Sequence, residues 1–311
     1  MLRPKAASIA IGRAIQSSRR DTSMNHKALL GTAVAAALMF GAQAASACAI
    51  SAWSSATGLT VADTGTYADG FSPIDGDCGL RVADSNGVNG RFVTDTTPNA
   101  ETSFKARFYY FTGDIQGTAP IFQARNTGGT NIIQITHSAA GVLSFTANTG
   151  GAAQTVNVVD NRYYAIELSW TSGSPGSLTA TVSGNAGAAV TIPVAGTVNF
   201  ASLSNSADRI DDVRLGLIGG SVTSTTPVYF DEYDSRRTTA PGLLCRGDAG
   251  GNPGGTKDGL IGSADRVLIT NQILGTNQQP HGYRDNNGDG IVASADRVAV
   301  TNLILAGATC N

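Results

Sequence analysis

A 31-residue internal repeat near the C-terminus constrains this chain more than any other feature. Asp258-Gly259-Leu260-Ile261-Gly262-Ser263-Ala264-Asp265-Arg266-Val267 aligns with Asp289-Gly290-Ile291-Val292-Ala293-Ser294-Ala295-Asp296-Arg297-Val298. Matching 258–274 against 289–305 gives 11 identities in 17 positions, among them Thr270/Thr301, Asn271/Asn302 and Leu274/Leu305. Each copy runs from a polar loop into an apolar segment, 267–274 or 298–305, with Ser263 or Ser294 placed as a helix N-cap. The pattern is loop–helix, twice, with no helical pattern ahead of either loop.

The second loop carries side-chain oxygens at positions 1, 3 and 5, which are Asp285, Asn287 and Asp289. Gly290 at position 6 permits the sharp turn that aims the Ile291 carbonyl inward, and Asp296 at position 12 closes the shell. A hard cation takes six to eight oxygens, so this spacing reads as a calcium loop. An Asp/Asn/Gly cluster also makes ordinary turns, but a second copy weighs against that reading. The first loop keeps Asp258, the Leu260 carbonyl and Asp265, while strict spacing puts Gly254 and Thr256 at positions 1 and 3. An insertion is therefore expected, with Asp248 as first ligand and Asn252 or Thr256 supplying another oxygen. Loops tolerate insertions at small entropic cost, so two calcium sites are expected, the first weaker.

This duplicated unit, residues 245–311, resembles the dockerin module, whose paired calcium loop–helix units dock onto cohesin domains. Aspartate at position 12 fits dockerins better than ordinary EF-hands. The resemblance implies a cohesin-like partner and gives Ser263-Ala264 and Ser294-Ala295, loop positions 10 and 11, a part in choosing it. The same residues read equally well as an N-cap followed by a good helix former.

The N-terminus reads as an export signal. Lys27 precedes an apolar stretch, 28–42, followed by small residues at Ala42-Gln43-Ala44 and Ala45-Ser46-Ala47. A start at Met24 makes 1–23 an upstream extension. Cleavage after Ala44 or Ala47 sends the mature chain out of the cytoplasm and leaves no segment able to span a bilayer. Oxidising surroundings then favour the pairs Cys48–Cys78 and Cys245–Cys310, the latter clasping the two ends of the repeat unit. Loops of these sizes contribute about 4 kcal/mol each in the chain-entropy account. A lipid on Cys48 is the rival, weakened by Ala45 where that motif has leucine.

Length and composition allow two modules and a sizeable core: 311 residues, 41% hydrophobic, 14% charged, 38 glycines. A formal net charge of −2 speaks against nucleic acid or an anionic membrane surface as partner. Between the ends, Phe104, Ala106, Phe108 and Tyr110 alternate with Lys105, Arg107 and Tyr109. Ile133 and Ile135, Leu143 and Phe145, Tyr164 to Trp170, Leu178 to Val182, Val213 to Leu217, and Val228 with Phe230 continue the period-two pattern. Short antiparallel strands, each burying one face, close as a two-sheet sandwich.

The 132–147 hairpin, the Arg162–Trp170 strand and the Val228–Tyr233 strand together resemble the laminin-G/concanavalin A-like jelly roll over residues 80–236. The expected fold class is mainly β, an antiparallel sandwich plus a small α-helical domain. Domains are expected at 1–47 (extension and signal), 48–238 (sandwich), 239–244 (linker) and 245–311. Members of that sandwich family mostly bind glycans or proteins, and some are glycoside hydrolases or lyases; the fold does not choose between them.

Sugar hydrolysis takes two carboxyl groups about 5–9.5 Å apart, and alternate residues of a strand lie about 6–7 Å apart. Among three glutamates, Glu101, Glu167 and Glu232, only Glu232 with Asp234 makes such a pair at a strand. Phe230 is expected to share their face as core, and the acidic triplet of laminarinase-like relatives is absent, so solvated carboxylates are the better account. His26, His137 and His281 have no second His or free Cys at zinc-ligand spacing. Trp53 or Tyr109, if exposed, can stack on sugar. The expected function is a secreted, non-catalytic recognition and assembly protein that binds glycan or protein and docks through calcium. A polysaccharide-degrading glycoside hydrolase and a structural surface or matrix protein are the alternatives.

Overall fold

The computed structural model describes residues 53–59, 64–65, 73–75, 79–83, 90–184, 189–220, 222–250, 257–276 and 283–310. The strands are, in order, β1 (Ser55–Thr57), β2 (Thr64–Gly65), β3 (Gly79–Val82), β4 (Arg91–Asp95) and β5 (Ser103–Phe111). There follow β6 (Thr118–Arg125), β7 (Asn131–Ser138), β8 (Val142–Ala147), β9 (Gln154–Asn157) and β10 (Tyr163–Thr171). The last are β11 (Gly176–Gly184), β12 (Val194–Leu203), β13 (Asp212–Leu217) and β14 (Val228–Arg236), before helices α1 (Ser263–Ile273) and α2 (Ser294–Leu305). They form two antiparallel sheets, β1-β4-β13-β6-β7-β8-β9 and β12-β11-β10-β5-β14-β3-β2.

The sheets pack face to face as the alternation requires. Phe104, Ala106, Phe108 and Tyr110 of β5 point inward with Tyr164, Ile166, Leu168 and Trp170 of β10, all buried in one apolar cluster. Across the layers the Phe108 and Phe122 rings stack at 5.4 Å.

One expectation fails at this point. The strands β5, β10 and β14 bury both faces, because Tyr109, Phe111, Tyr163, Ala165 and Tyr229 form a second cluster on the outer side of their sheet. Ile74 and Tyr283 complete that cluster, with Leu244 against it. A strand covered on both sides reads as a continuous apolar run, which is what Phe108-Tyr109-Tyr110-Phe111 is. Tyr109 is therefore no exposed sugar platform: it is 2% exposed. Trp53 packs against the main core with its ring 5.1 Å from that of Tyr233.

The segment 239–244 is fastened to the sheet. Arg107 donates from Nη1 to the Gly242 carbonyl at 3.0 Å, and the Leu244 N–H donates to the Tyr109 hydroxyl at 3.0 Å. Beyond it, Cys245 and Cys310 are disulfide-bonded, which closes the C-terminal unit end to end. Cys48 and Cys78 lie outside the described residues, as do the export segment, Asn252, Gly254, Thr256, His26 and His281.

The two helices pack together around Ala249, Ile269 and Val300. Neither serine is an N-cap: the caps are Gly262 and Ala293, and Ser263 and Ser294 are the first helical residues. The caps' own N–H groups donate to Asp265 Oδ2 at 2.7 Å and Asp296 Oδ2 at 2.8 Å. A carboxylate at the third helical position thus ties the helix start to the loop, and it also favours the positive end of the helix dipole. Among the described residues no helix is long and apolar enough to cross a membrane.

Candidate functional site: two acidic loops and an open sheet

The second loop folds around Asp285, which is fully buried. Its Oδ1 accepts the N–H groups of Gly288 at 2.8 Å and Asp289 at 3.2 Å, and its Oδ2 accepts that of Gly290 at 2.7 Å. Asp296 Oδ1 accepts from Asn287 at 3.0 Å, and Asp289 Oδ1 accepts from Ile291 at 3.0 Å. Gly290 has φ +86°, the left-handed turn that position 6 requires.

The first loop repeats this wiring. Asp248 Oδ2 accepts from Gly259 at 3.0 Å, Asp258 Oδ1 from Leu260 at 2.9 Å, and Asp265 Oδ1 from Gly250 at 3.1 Å. Matched bond for bond, Asp248 corresponds to Asp285, Asp258 to Asp289, and Gly259, at φ +77°, to Gly290. Gly250 then corresponds to Asn287, so the inserted residues fall between positions 3 and 5, and position 3 has no side-chain oxygen. Asp248, expected as the first ligand, accepts from Gly259 as Asp285 does from Gly290; Asn252 and Thr256, either of which was expected to add an oxygen, lie outside the described residues.

Burial and mutual repulsion raise carboxyls in both loops. Burial pushes the Asp285 carboxyl well above the usual range, and the negative charges of Asp296 and Asp289 push it further. Burial also raises Asp296 and Asp265. Asp248 is 2% exposed, and its Oδ1 has no hydrogen-bond partner among the described residues. The carboxylates of Asp285, Asp289 and Asp296 and the Asn287 amide, whose Nδ2 donates to Asp289 Oδ2 at 2.7 Å, are hard oxygen donors of the kind a calcium ion takes. The sulfurs of Cys245 and Cys310 also lie near Asp248, but they are bound to each other and offer no thiolate.

Both loops are joined to the sandwich. The Tyr163 N–H of β10 donates to the Gly288 carbonyl at 2.9 Å, and Arg246 bridges the Asn286 and Ala189 carbonyls at 2.6 Å each. Lys257 pairs with Asp75, and the Tyr283 N–H donates to the Asp248 carbonyl at 2.8 Å.

The Glu232–Asp234 pair is rearranged. A β-bulge lies between Asp231 and Asp234 against β5, and Glu232 sits at φ +51°. The bulge cancels the alternation, so Asp231 and Asp234, opposite Tyr109 and Arg107, share the outer face, and Phe230 points into the core. Glu232 lies 3.4 Å from Arg107. Burial, then the nearby Asp75 charge, raises its carboxyl. Sequence reasoning missed Asp231, which is buried and accepts the N–H groups of Ile74 at 2.7 Å and Asp75 at 3.2 Å.

It also missed the outer face of the other sheet. Register places Ser55, Thr94, Arg214, Gln123, Gln134 and Thr146 in one row across six strands. Gln123 Nε2 donates to Gln134 Oε1 at 2.9 Å, and Asn131 Nδ2 donates to the same oxygen at 2.8 Å. In the next row Arg125 holds Asp212 through two bonds of 2.8 and 2.9 Å. The signal was present in Arg214 and Gln123, the polar alternates of apolar strand residues, but only pairing aligns them.

No family model and no curated protein matches this chain. Several solved structures do. An endo-β-1,4-glucuronan lyase from the fungus Trichoderma reesei matches at 11% identity and a TM-score of 0.41, over 60% of this chain and 91% of that one. The Ruminococcus gnavus IT-sialidase CBM40 bound to α2,3-sialyllactose matches at 14% identity and 0.34, over 52% and 90%. A sialidase matches at 12% identity and 0.35 over 54% of this chain, which spans 16% of that protein.

Proposed function

We propose that this chain is a secreted, non-catalytic recognition and assembly protein. Its sandwich binds glycan, and its C-terminal unit binds two calcium ions and docks to a cohesin-like domain. Asp285, Asn287, Asp289, the Ile291 carbonyl and Asp296 hold the second ion; Asp248, Asp258, the Leu260 carbonyl and Asp265 hold the first. Calcium supplies the positive charge that lets these buried carboxylates stay ionised.

The observation that carries the reading is the matched hydrogen bonding of the two loops. The docking part draws support from exposure: Leu260 and Ile291, Val267 and Val298, and Leu274 and Leu305 are all exposed, and each pair is related by the repeat. Isolated exposed apolar residues are ordinary, but three repeat-related pairs make two like half-faces. Between the helices a groove of about 520 Å³ carries Arg266, Thr270, Arg297 and Thr301. The fastened C-terminal unit makes the full secreted chain the right material for a test. Calorimetry should show saturable calcium binding, weakened by Asp289→Ala, and retention of a cohesin domain in calcium but not in chelator. Absence of any calcium heat, with equal melting curves in calcium and chelator, overturns the proposal.

A further inference from the structure

The two sheets differ in what their outer faces offer a ligand. One is covered by the C-terminal unit through Tyr109, Phe111, Tyr163 and Tyr229. The other carries the polar row described above, in which Ser55 is exposed and Arg214, Gln134 and Thr146 are partly so. Neutral sugars are held on flat surfaces largely by aromatic stacking, and this row has no free ring. Its aromatic neighbour, Phe92, is 8% exposed and lies under the Arg214 guanidinium at 4.8 Å from the ring centroid.

What the face does offer is cations and amides. Arg125 and Arg214 share a single carboxylate, Asp212, and Arg125 takes it with both bonds. Arg214 Nε stands 4.0 Å from Asp212, too far for a hydrogen bond, and has no hydrogen-bond partner among the described residues although it is buried. The nearby Asp211 carboxylate is used by the N–H groups of Ala100 and Thr127. Arg125 and Arg214 are balanced in charge by Asp212 and Asp211, but Asp211 is turned to backbone N–H groups, so Arg214 stands loosely paired beside two amide side chains.

We infer that this sheet face binds the carboxylate groups of an acidic polysaccharide, with Arg214 as the charge contact and Gln123 and Gln134 as contacts for sugar hydroxyls. This rests on the reading of the sandwich as a glycan-binding module. A guanidinium fork matches a carboxylate edge-on, and amides donate and accept as sugar hydroxyls do. Arg125 keeps Asp212 occupied, so Arg214 is left for the ligand.

The test uses the full secreted chain at fixed calcium concentration, with trigalacturonate and its methyl ester, in which each carboxylate is capped as a neutral ester, and a panel of neutral oligosaccharides. Trigalacturonate should bind at least about tenfold more tightly than the ester, and Arg214→Gln should remove about tenfold, the weight of a charge-assisted contact. Gln134→Glu, a nearly isosteric change, should weaken the acid form more than the ester, since both lose the amide donor and only the acid meets a like charge; Lys105→Gln on the opposite sheet should change neither. Rising salt should weaken binding. Circular dichroism and melting of each variant identify loss of fold. Equal affinity for acid and ester, or unchanged binding in both Arg214→Gln and Gln134→Glu, overturns the inference. Binding of neutral sugars alone overturns it while leaving the glycan reading intact, and no saccharide binding at all overturns both.

Discussion

His137 shows how a single buried residue sets a condition on the whole fold. Its Nδ1 lies 2.8 Å from the Tyr110 hydroxyl, inside the sandwich core, and burial lowers its pKa to about 4. The unfolded chain takes up this proton below the ordinary histidine value of about 6.5, the native chain only near 4. The stability that depends on neutral His137 is thus complete above that ordinary value and is lost as pH falls through the window between the two. By pH 5 the loss is about 2 kcal/mol. Denaturant melts at pH 7 and pH 5 should show this drop in the wild type and a smaller one in His137→Gln, which cannot titrate. Equal drops in the two proteins would show that other groups control acid sensitivity. In sequence His137 was only a histidine at a strand end, because a core position is a property of the partner sheet.

At the scale of the element, the starts of α1 and α2 separate what a propensity rule sees from what a bound turn needs. The serine before each apolar segment satisfied the usual N-cap pattern, yet Asp265 and Asp296 accept the N–H groups at both helix starts. Ser294→Ala should therefore leave stability within about 0.5 kcal/mol, the range of an ordinary surface change. Asp296→Ala should cost about 1–2 kcal/mol through the lost cap alone, and it should weaken calcium binding as well. Thermal melts in calcium and in chelator measure both effects. A larger loss from Ser294→Ala than from Asp296→Ala would restore the serine as the cap. The bulge in β14 makes the same point for strands: one extra residue between Asp231 and Asp234 exchanges the faces on which acids stand.

Across the whole molecule, the C-terminal unit and the sandwich are tied by backbone as well as by side chains. Gly288 donates its N–H to Asp285, the buried carboxylate of the second acidic loop, and accepts at its carbonyl from Tyr163 of β10. A ligand that binds only the native loop stabilises whatever unfolds with it. Calcium is therefore expected to slow hydrogen exchange of the Tyr163 amide by at least about tenfold relative to chelator, since local opening sets exchange. Asp285→Asn should remove that protection in calcium more than Asp248→Asn does. Calcium-dependent protection confined to 245–310, with Tyr163 unchanged, would show that the two parts open independently.

Local pattern in the sequence was enough for what depends on neighbours in the chain. Period-two alternation located β5, β7, β8, β10, β11, β13 and β14, and repeat spacing located both acidic loops, including Asp248 across an insertion. These are short-range matters, settled by which side a residue faces and which oxygen reaches which N–H. Tertiary structure alone decided the rest: that the outer aromatic row of one sheet is covered, that residues 239–244 are fastened, that Asp231 and not Glu232 shares the face of Asp234, and that Arg214, Gln123 and Gln134 stand side by side. Each depends on strand register or on one layer lying upon another. Arg214 and Gln123 are 91 positions apart in the chain, and only the antiparallel pairing of β13 with β6 makes them neighbours.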